Sequence, residues 1–153
     1  MQANGIASAV LFSCLLLAAS VWDIRKRIIP DSLCAAIAVL GLFSFTPGKL
    51  LGLLPALLLL CAALFLRGGS GMGGGDIKLT AASGFAIGLP AVSAGLILGM
   101  GLALLYCLPT LFIRKLKKGG GRTAKQTALP LAPFLSIGFI AASTIQLTGG
   151  TPI

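Results

Sequence analysis

Residues 5–22 read GIASAVLFSCLLLAASVW, 18 consecutive positions without a charged side chain. As a helix this run extends roughly 27 Å at 1.5 Å per residue, close to the roughly 30 Å hydrocarbon core of a bilayer. The nearest basic residues, Arg25, Lys26 and Arg27, follow the run instead of preceding it. Because a signal peptide carries its basic region in front, we predict an uncleaved first transmembrane helix over about Gly5–Trp22.

The rest of the 153-residue chain has the same apolar character. Hydrophobic residues account for 57% of the sequence and charged residues for 10%, and the mean hydropathy is +1.04. Soluble globular domains contain about 25% charged residues, so this composition indicates an integral membrane protein. The lipid bilayer is its first expected partner. We therefore expect one all-α domain, residues 1–153, that crosses the membrane six times with both termini outside.

Glycine, proline and basic clusters separate five further apolar segments, and these predict helices over about Asp31–Phe45, Leu50–Leu66, Asp76–Gly88, Ala91–Ile113 and Thr127–Leu147. The fourth of the six helices has only about 14 residues, or roughly 21 Å, which is too short for a full crossing. Residues 68–75 before it include six glycines, which no regular helix tolerates. We expect this glycine loop to dip below the membrane surface and to place Asp76 at the boundary.

Positive charge is distributed unevenly among the connections. With six helices, the connections after helices 1, 3 and 5 share one side of the membrane, and that side holds 11 of the 12 basic residues, all except Lys49. The positive-inside rule then places this side, with Asp23 and Asp76, at the cytoplasmic face. Topology thus explains the net charge of +9, so we expect no nucleic-acid partner. The basic loop from Arg114 to Lys125 is interpreted as an orientation signal in preference to a site for anionic lipid or an acidic substrate segment.

Acidic residues are rare enough to limit the available chemistry. The chain contains Asp23, Asp31 and Asp76, no glutamate and no histidine. Without an imidazole it lacks the parts of a Ser/His/Asp triad, a Cys/His pair or a histidine metal site. Its four cysteines stand singly in apolar runs, which argues against a zinc site or a disulfide framework. We therefore expect no metal and no cofactor, and a carboxylate pair is the remaining catalytic option.

Two carboxyl groups close together in a low-dielectric site do not both ionise cheaply, so one keeps its proton. The ionised group can take a proton from an attacking water while the neutral group donates to the developing oxyanion. Structural roles compete with this interpretation. Asp31 follows Pro30 at a helix start and is better explained as a cap, whereas Asp23 can pair with the basic residues after it and Asp76 can cap helix 4 or pair with Lys78. Acids at the ends of membrane helices are nevertheless costly and often functional.

Three short motifs occur in an order that resembles a known family. Asp23 is followed seven residues later by Pro30 and then Asp31, residues 73–79 read GGGDIKL, and residues 129–135 read LPLAPFL. This combination is similar to the prepilin and preflagellin peptidases, which are membrane aspartyl proteases of the GxGD type. The resemblance implies that Asp23 and Asp76 are the catalytic pair. It also implies that residues of the same motifs shape the site or bind substrate, namely Gly73, Gly75, Lys78, Pro30, Pro133 and Phe134.

The resemblance further implies a substrate, the leader of a type IV pilin-like precursor, which is cut at the cytoplasmic face of the cell membrane. The chain lacks the cysteine-containing insertion of the larger bifunctional members, so it looks like the short peptidases and is expected to cleave without a methyltransferase domain. Two alternatives stay open. One is a presenilin-like or signal-peptide-peptidase-like protease, and the other is a non-enzymatic membrane subunit or transporter component whose aspartates cap helices.

Overall fold

The computed structural model describes residues 2–43, 46–65, 73–116 and 131–148. Within these ranges the chain is helical and has no strand, which confirms the predicted all-α class. The six α-helices of the described residues are α1 (Gln2–Lys26), α2 (Asp31–Phe43), α3 (Leu54–Phe65), α4 (Gly74–Ile87), α5 (Leu89–Leu116) and α6 (Ala132–Thr148), and a 3-10 helix, Pro47–Leu53, leads directly into α3.

Among the residues that the structure describes, three helical segments are long and apolar enough to cross a membrane: Ile6–Lys26, Pro47–Phe65 and Leu89–Pro109. The remaining helices are shorter, with 13 residues in α2, 14 in α4 and 17 in α6. Large apolar side chains are exposed on the outside of the bundle, among them Leu58 and Ile97. This surface and these lengths support the membrane character expected from the composition. Six full crossings and the orientation of the termini remain predictions.

α1 extends further than the sequence suggested. The prediction ended it at Trp22 and put Asp23 in the following connection, which is wrong because the helix continues to Lys26. The Arg27 N–H donates to the Asp23 carbonyl oxygen at 2.8 Å and closes the last turn. Basic side chains at a helix C-terminus interact favourably with the helix dipole, so the basic residues extend this helix instead of ending it. Asp23 is therefore held on a rigid element.

The third predicted helix begins as a 3-10 helix. Residues Pro47–Leu53 take this tighter form and the α-helix starts only at Leu54, so the uniform helix predicted over this segment is wrong at its start. Pro55 explains the change, because its ring would clash with the carbonyl of a preceding α-turn and it is tolerated only in the first turn. Gly52 of the 3-10 helix lies so close to Gly84 of α4 that a Cβ on either would overlap the carbonyl oxygen of the other.

α4 has the predicted length but begins two residues early, at Gly74 instead of Asp76. Gly74 and Gly75 are therefore helical, against the expectation that the whole glycine run stays irregular. The first N–H groups of a helix have no intrahelical partner, so few hydrogen bonds depend on these two glycines. The rest of the run, residues 68–72, lies outside the described residues.

The other boundaries differ from the prediction by a few residues, as helix ends commonly do. Helix 6 was predicted to begin at Thr127, yet Leu131 is not helical and α6 starts after it. Pro133 then falls in the first turn, where a missing N–H costs little. α1 begins at Gln2 instead of Gly5, α5 covers Leu89–Leu116 instead of Ala91–Ile113, and the predicted ends at Phe45 and Leu66 lie outside the described residues.

The buried core is formed by apolar side chains of α1, α2, α4, α5 and α6, which include Leu16, Ile37, Leu79, Val92 and Phe139. α4 packs against α2, α3, the 3-10 helix, α5 and α6, and α6 packs in addition against α1. This arrangement brings the last turn of α1, the first turn of α4 and the first turn of α6 to the same end of the bundle.

Candidate active site

A cavity of about 560 Å³ lies between the connection from α1 to α2 and the first turn of α4. All three aspartates of the chain line it. Its full lining consists of Asp23, Arg27, Ile28, Ile29, Pro30, Asp31, Gly73, Gly74, Gly75, Asp76 and Lys78. The two sequence motifs around Asp23 and Asp76, which are separated by 53 positions of sequence, therefore form the two walls of a single pocket.

Asp23 lies in the last turn of α1 and is only 8% exposed. Its Oδ2 accepts a hydrogen bond at 3.2 Å from the main-chain N–H of Ala132, the first residue of α6. Such an amide has no partner within its own helix and carries part of the positive end of the helix dipole. The contact therefore gives the buried Asp23 carboxyl group a main-chain donor.

Asp76 is the third residue of α4 and is also 8% exposed. Its N–H donates to the carbonyl oxygen of Gly73 at 3.0 Å, and its own carbonyl oxygen accepts from Thr80 Oγ1 at 2.8 Å. These bonds fix the main chain around the residue. Thr80 is fully buried, so Asp76 is anchored from the core side of the helix.

The two carboxyl groups differ electrostatically. Asp76 lies in the first turn of α4, outside the three candidate membrane spans. Burial, and then the negative charge of Asp23, raise the pKa of the Asp76 carboxyl group from 3.8 to about 6. Two carboxyl groups with unequal surroundings can divide into a base and an acid. Asp76 holds a proton to a higher pH than an ordinary aspartate does.

The glycines before Asp76 have unequal surroundings. A Cβ on Gly73 would lie 3.0 Å from Asp76 Oδ2, and a Cβ on Gly75 would lie 3.2 Å from three atoms of the Ile29 side chain. A Cβ on Gly74 would meet nothing within 4 Å. Gly73 thus leaves room for the carboxyl group, and Gly75 lets α4 approach the opposite wall of the pocket.

A comparison with known families bears on this pocket. The sequence profile of the type IV leader peptidase family matches residues 10–108, more than half of the chain, and both Asp23 and Asp76 fall within the match. The chain belongs to the type IV leader peptidase family. No curated protein and no solved structure matches it. Family membership supports a leader-processing protease over the presenilin-like and non-enzymatic alternatives, and it confirms the family suggested by the sequence motifs.

Lys78 has a partner that the sequence did not identify. Its Nζ donates to Asp31 Oδ1 at 2.8 Å, whereas the sequence left a pairing with Asp76 open as one alternative to a helix-capping role for Asp76. Asp31 is the first residue of α2, as predicted for a residue at a helix start. Its carboxyl group forms an ion pair with Lys78 on the opposite wall of the pocket.

The last motif contributes to the site through its main chain. Pro30 of the first motif lines the cavity, whereas Pro133 and Phe134 of the last motif are not among its lining residues. The Phe134 ring instead packs at 5.5 Å between centroids against Tyr106 of α5. What the segment supplies to the site is the main-chain amide of Ala132, and no side-chain pattern signals a backbone donor.

Arg27 lines the pocket, a position that the sequence did not indicate. Its φ is +54°, the one positive φ of a non-glycine residue in the described ranges. The left-handed conformation costs an L-residue roughly 1–2 kcal/mol, and at this position after a helix glycine is preferred. A strained main chain therefore adjoins the end of α1 that carries Asp23.

Proposed function

We propose that this protein is a membrane aspartyl endopeptidase that removes the leader peptide of type IV pilin-like precursors at the cytoplasmic face of the cell membrane. The strongest support is the pair of buried carboxyl groups, Asp23 and Asp76, in one pocket of a chain that belongs to a leader peptidase family. Their unequal surroundings fit a division into base and acid.

In the first step Asp23 takes a proton from a water molecule, whose oxygen attacks the carbonyl carbon of the scissile peptide bond. Asp76 gives its proton to the carbonyl oxygen, which produces a neutral tetrahedral diol and reverses the protonation states of the pair. In the second step Asp23 returns its proton to the leaving nitrogen while Asp76 takes one from a diol hydroxyl. The C–N bond breaks, a carboxylic acid and an amine leave, and both aspartates regain their starting states.

Side chains next to Asp23 support a position of the site at the membrane–water interface. Trp22, next to Asp23, is 45% exposed, and Lys26 Nζ lies 5.0 Å from its ring centroid. Tryptophan and basic residues collect at the membrane–water interface. We infer that Asp23 lies at the level of the lipid headgroups, on the side with most of the basic residues. The cleavage site of a precursor, at the cytoplasmic end of its hydrophobic helix, would reach this level.

A basic residue near the opposite end of α4 supports the same orientation. Lys49, the basic residue expected on the far side of the membrane, lies next to Gly88, directly after α4, where a Cβ on the glycine would be 3.7 Å from Lys49 Cγ. Asp76 is at the other end of the same helix, so α4 separates the sparsely charged side from the basic one.

The proposal is tested by co-expressing the protein with a candidate precursor and following conversion of precursor to mature protein by mass. The parent chain should shorten the precursor at one peptide bond, and Asp76→Asn should leave it intact. If Asp76→Asn processes the precursor as the parent does, the proposed function is wrong. Arg25→Gln serves as the control, since it removes one exposed charge outside the pocket and should cleave normally.

A further inference from the structure

The ion pair between Lys78 and Asp31 connects the two walls of the pocket. Lys78 Nζ and Asp31 Oδ1 are 2.8 Å apart, although the residues are 47 positions apart in sequence. Asp31 ends the connection that leads from Asp23, and Lys78 lies two residues after Asp76 on α4. Each partner therefore belongs to the wall that carries one of the two aspartates.

The ion pair contributes little to the stability of the whole fold. The side chains of Lys78 and Asp31 are 59% and 76% exposed, and exposed ion pairs typically contribute only about 0.2–1 kcal/mol. The fold is held by the buried core, to which neither side chain belongs. A role in local geometry is the alternative to a role in stability.

Each wall includes residues outside the helices that carry Asp23 and Asp76. The connection at residues 27–30 has no helical structure and contains the strained Arg27, and the facing wall begins with Gly73, Gly74 and Gly75. Glycine places few limits on backbone conformation. The approach of Gly75 to Ile29 is apolar and non-directional, whereas the ion pair between Lys78 and Asp31 joins the walls in one direction.

We propose that Asp31 and Lys78 form a positioning pair that sets the alignment of Asp23 with Asp76 by tying the connection before α2 to the start of α4. The proposal rests on the proposed function, since it assigns these residues to the same catalytic pocket. Neither residue takes part in proton transfer. Loss of the pair is expected to lower kcat and to leave KM nearly unchanged, because the substrate-binding walls stay present while the alignment of the carboxyl groups is relaxed.

The test compares neutral and charge-reversed variants of the purified protein in detergent with a precursor substrate. Asp31→Asn and Lys78→Gln should each lower kcat about two- to fivefold, the size of one exposed ion pair. Asp31→Lys or Lys78→Asp alone puts like charges together and should lower kcat more. The double reversal, Asp31→Lys with Lys78→Asp, should restore kcat to within about twofold of the parent, an outcome that independent structural damage does not give.

A second measurement does not depend on activity. Hydrogen exchange of residues 27–31 and 73–78 should accelerate in each single reversal and return toward the parent in the double reversal, with thermal unfolding unchanged. A double reversal that is no better than the worse single variant in both kcat and exchange overturns the positioning pair. If the parent and Asp76→Asn are equally inactive while exchange follows the expected pattern, the proposed function fails and the link between the walls stands.

Discussion

The main-chain N–H of Ala132 donates to Oδ2 of Asp23 at 3.2 Å, across 109 positions of sequence. The bond satisfies an amide at the start of α6 that has no partner in its own helix, and it supplies the buried carboxyl of α1 with a donor. One contact thus both satisfies the start of α6 and fixes the Asp23 carboxyl group.

Ala132→Pro keeps the helix start, because proline is favoured at the first position of an α-helix, but it removes the donor and puts a ring carbon where the N–H faces Asp23 Oδ2. A hydrogen bond to a charged group contributes about 1.5–3 kcal/mol, so kcat should fall roughly tenfold to a hundredfold. Ala132→Gly keeps the N–H and is the matched control. Cleavage of a precursor by Ala132→Pro at the rate of Ala132→Gly would show that the donor does not matter.

The three glycines before Asp76 should respond unequally to alanine. Gly73→Ala pushes against the Asp76 carboxyl group and Gly75→Ala pushes against Ile29, whereas Gly74→Ala enters open space. Displacements of tenths of an ångström in a catalytic group are expensive, so the first two should lose activity on the order of tenfold. Gly74→Ala should keep it. Equal rates for the three variants, measured with one precursor, would contradict this account of the pocket.

Much of the architecture follows from the sequence because apolar runs and their breaks report helices directly. The number of helices and the 14-residue length of α4 were of this kind. The pairing of Asp23 with Asp76 in one pocket was instead implied by the scarcity of acids and by the resemblance of the motifs to a family. The pairing of Lys78 with Asp31 depends on where two helices come together, and the sequence alone allowed several partners. The 3-10 start before α3 depends on contacts as well as on Pro55, since Gly52 meets the backbone of α4.

Alanine substitutions at two glycines of α5 distinguish the effect of packing on stability from the effect of helix propensity. A Cβ on Gly99 would lie 2.9 Å from Leu135 Cα of α6, whereas a Cβ on Gly101 would meet nothing within 4 Å. Gly99→Ala should therefore destabilise the protein by about 1–3 kcal/mol through overpacking, and Gly101→Ala should be neutral or stabilising by up to about 1 kcal/mol. Thermal unfolding in detergent measures both. A stabilising Gly99→Ala would mean that α5 and α6 are further apart than described.

Ionisation of the buried Asp76 carboxyl group should lower the free energy of unfolding at neutral pH. Its pKa of about 6 in the folded protein exceeds the ordinary 3.8, so between these values the folded state binds more protons than the unfolded state. Stability then falls as the pH rises from about 4 through about 6, by at most about 3 kcal/mol for this difference in pKa. Asp76→Asn removes the ionisable group and should be more stable than the parent at pH 7.

Thermal unfolding of both proteins at pH 4 and pH 7 checks this effect. The advantage of Asp76→Asn should be present at pH 7 and absent at pH 4. Asp31→Asn is the comparison, because it removes an exposed carboxyl of the same pocket and should change stability little at pH 7. An advantage of Asp76→Asn that is the same at both pH values would rule out ionisation as its cause.

The account depends above all on Asp23 and Asp76 acting as one unit, and single-turnover cleavage of a precursor by purified protein tests that directly. Groups that act together are strongly non-additive. Asp23→Asn, Asp76→Asn and the double variant should therefore all fall to the same background rate. Parental cleavage by either single variant, or a double variant slower than each single one by the product of their effects, would contradict the carboxyl pair.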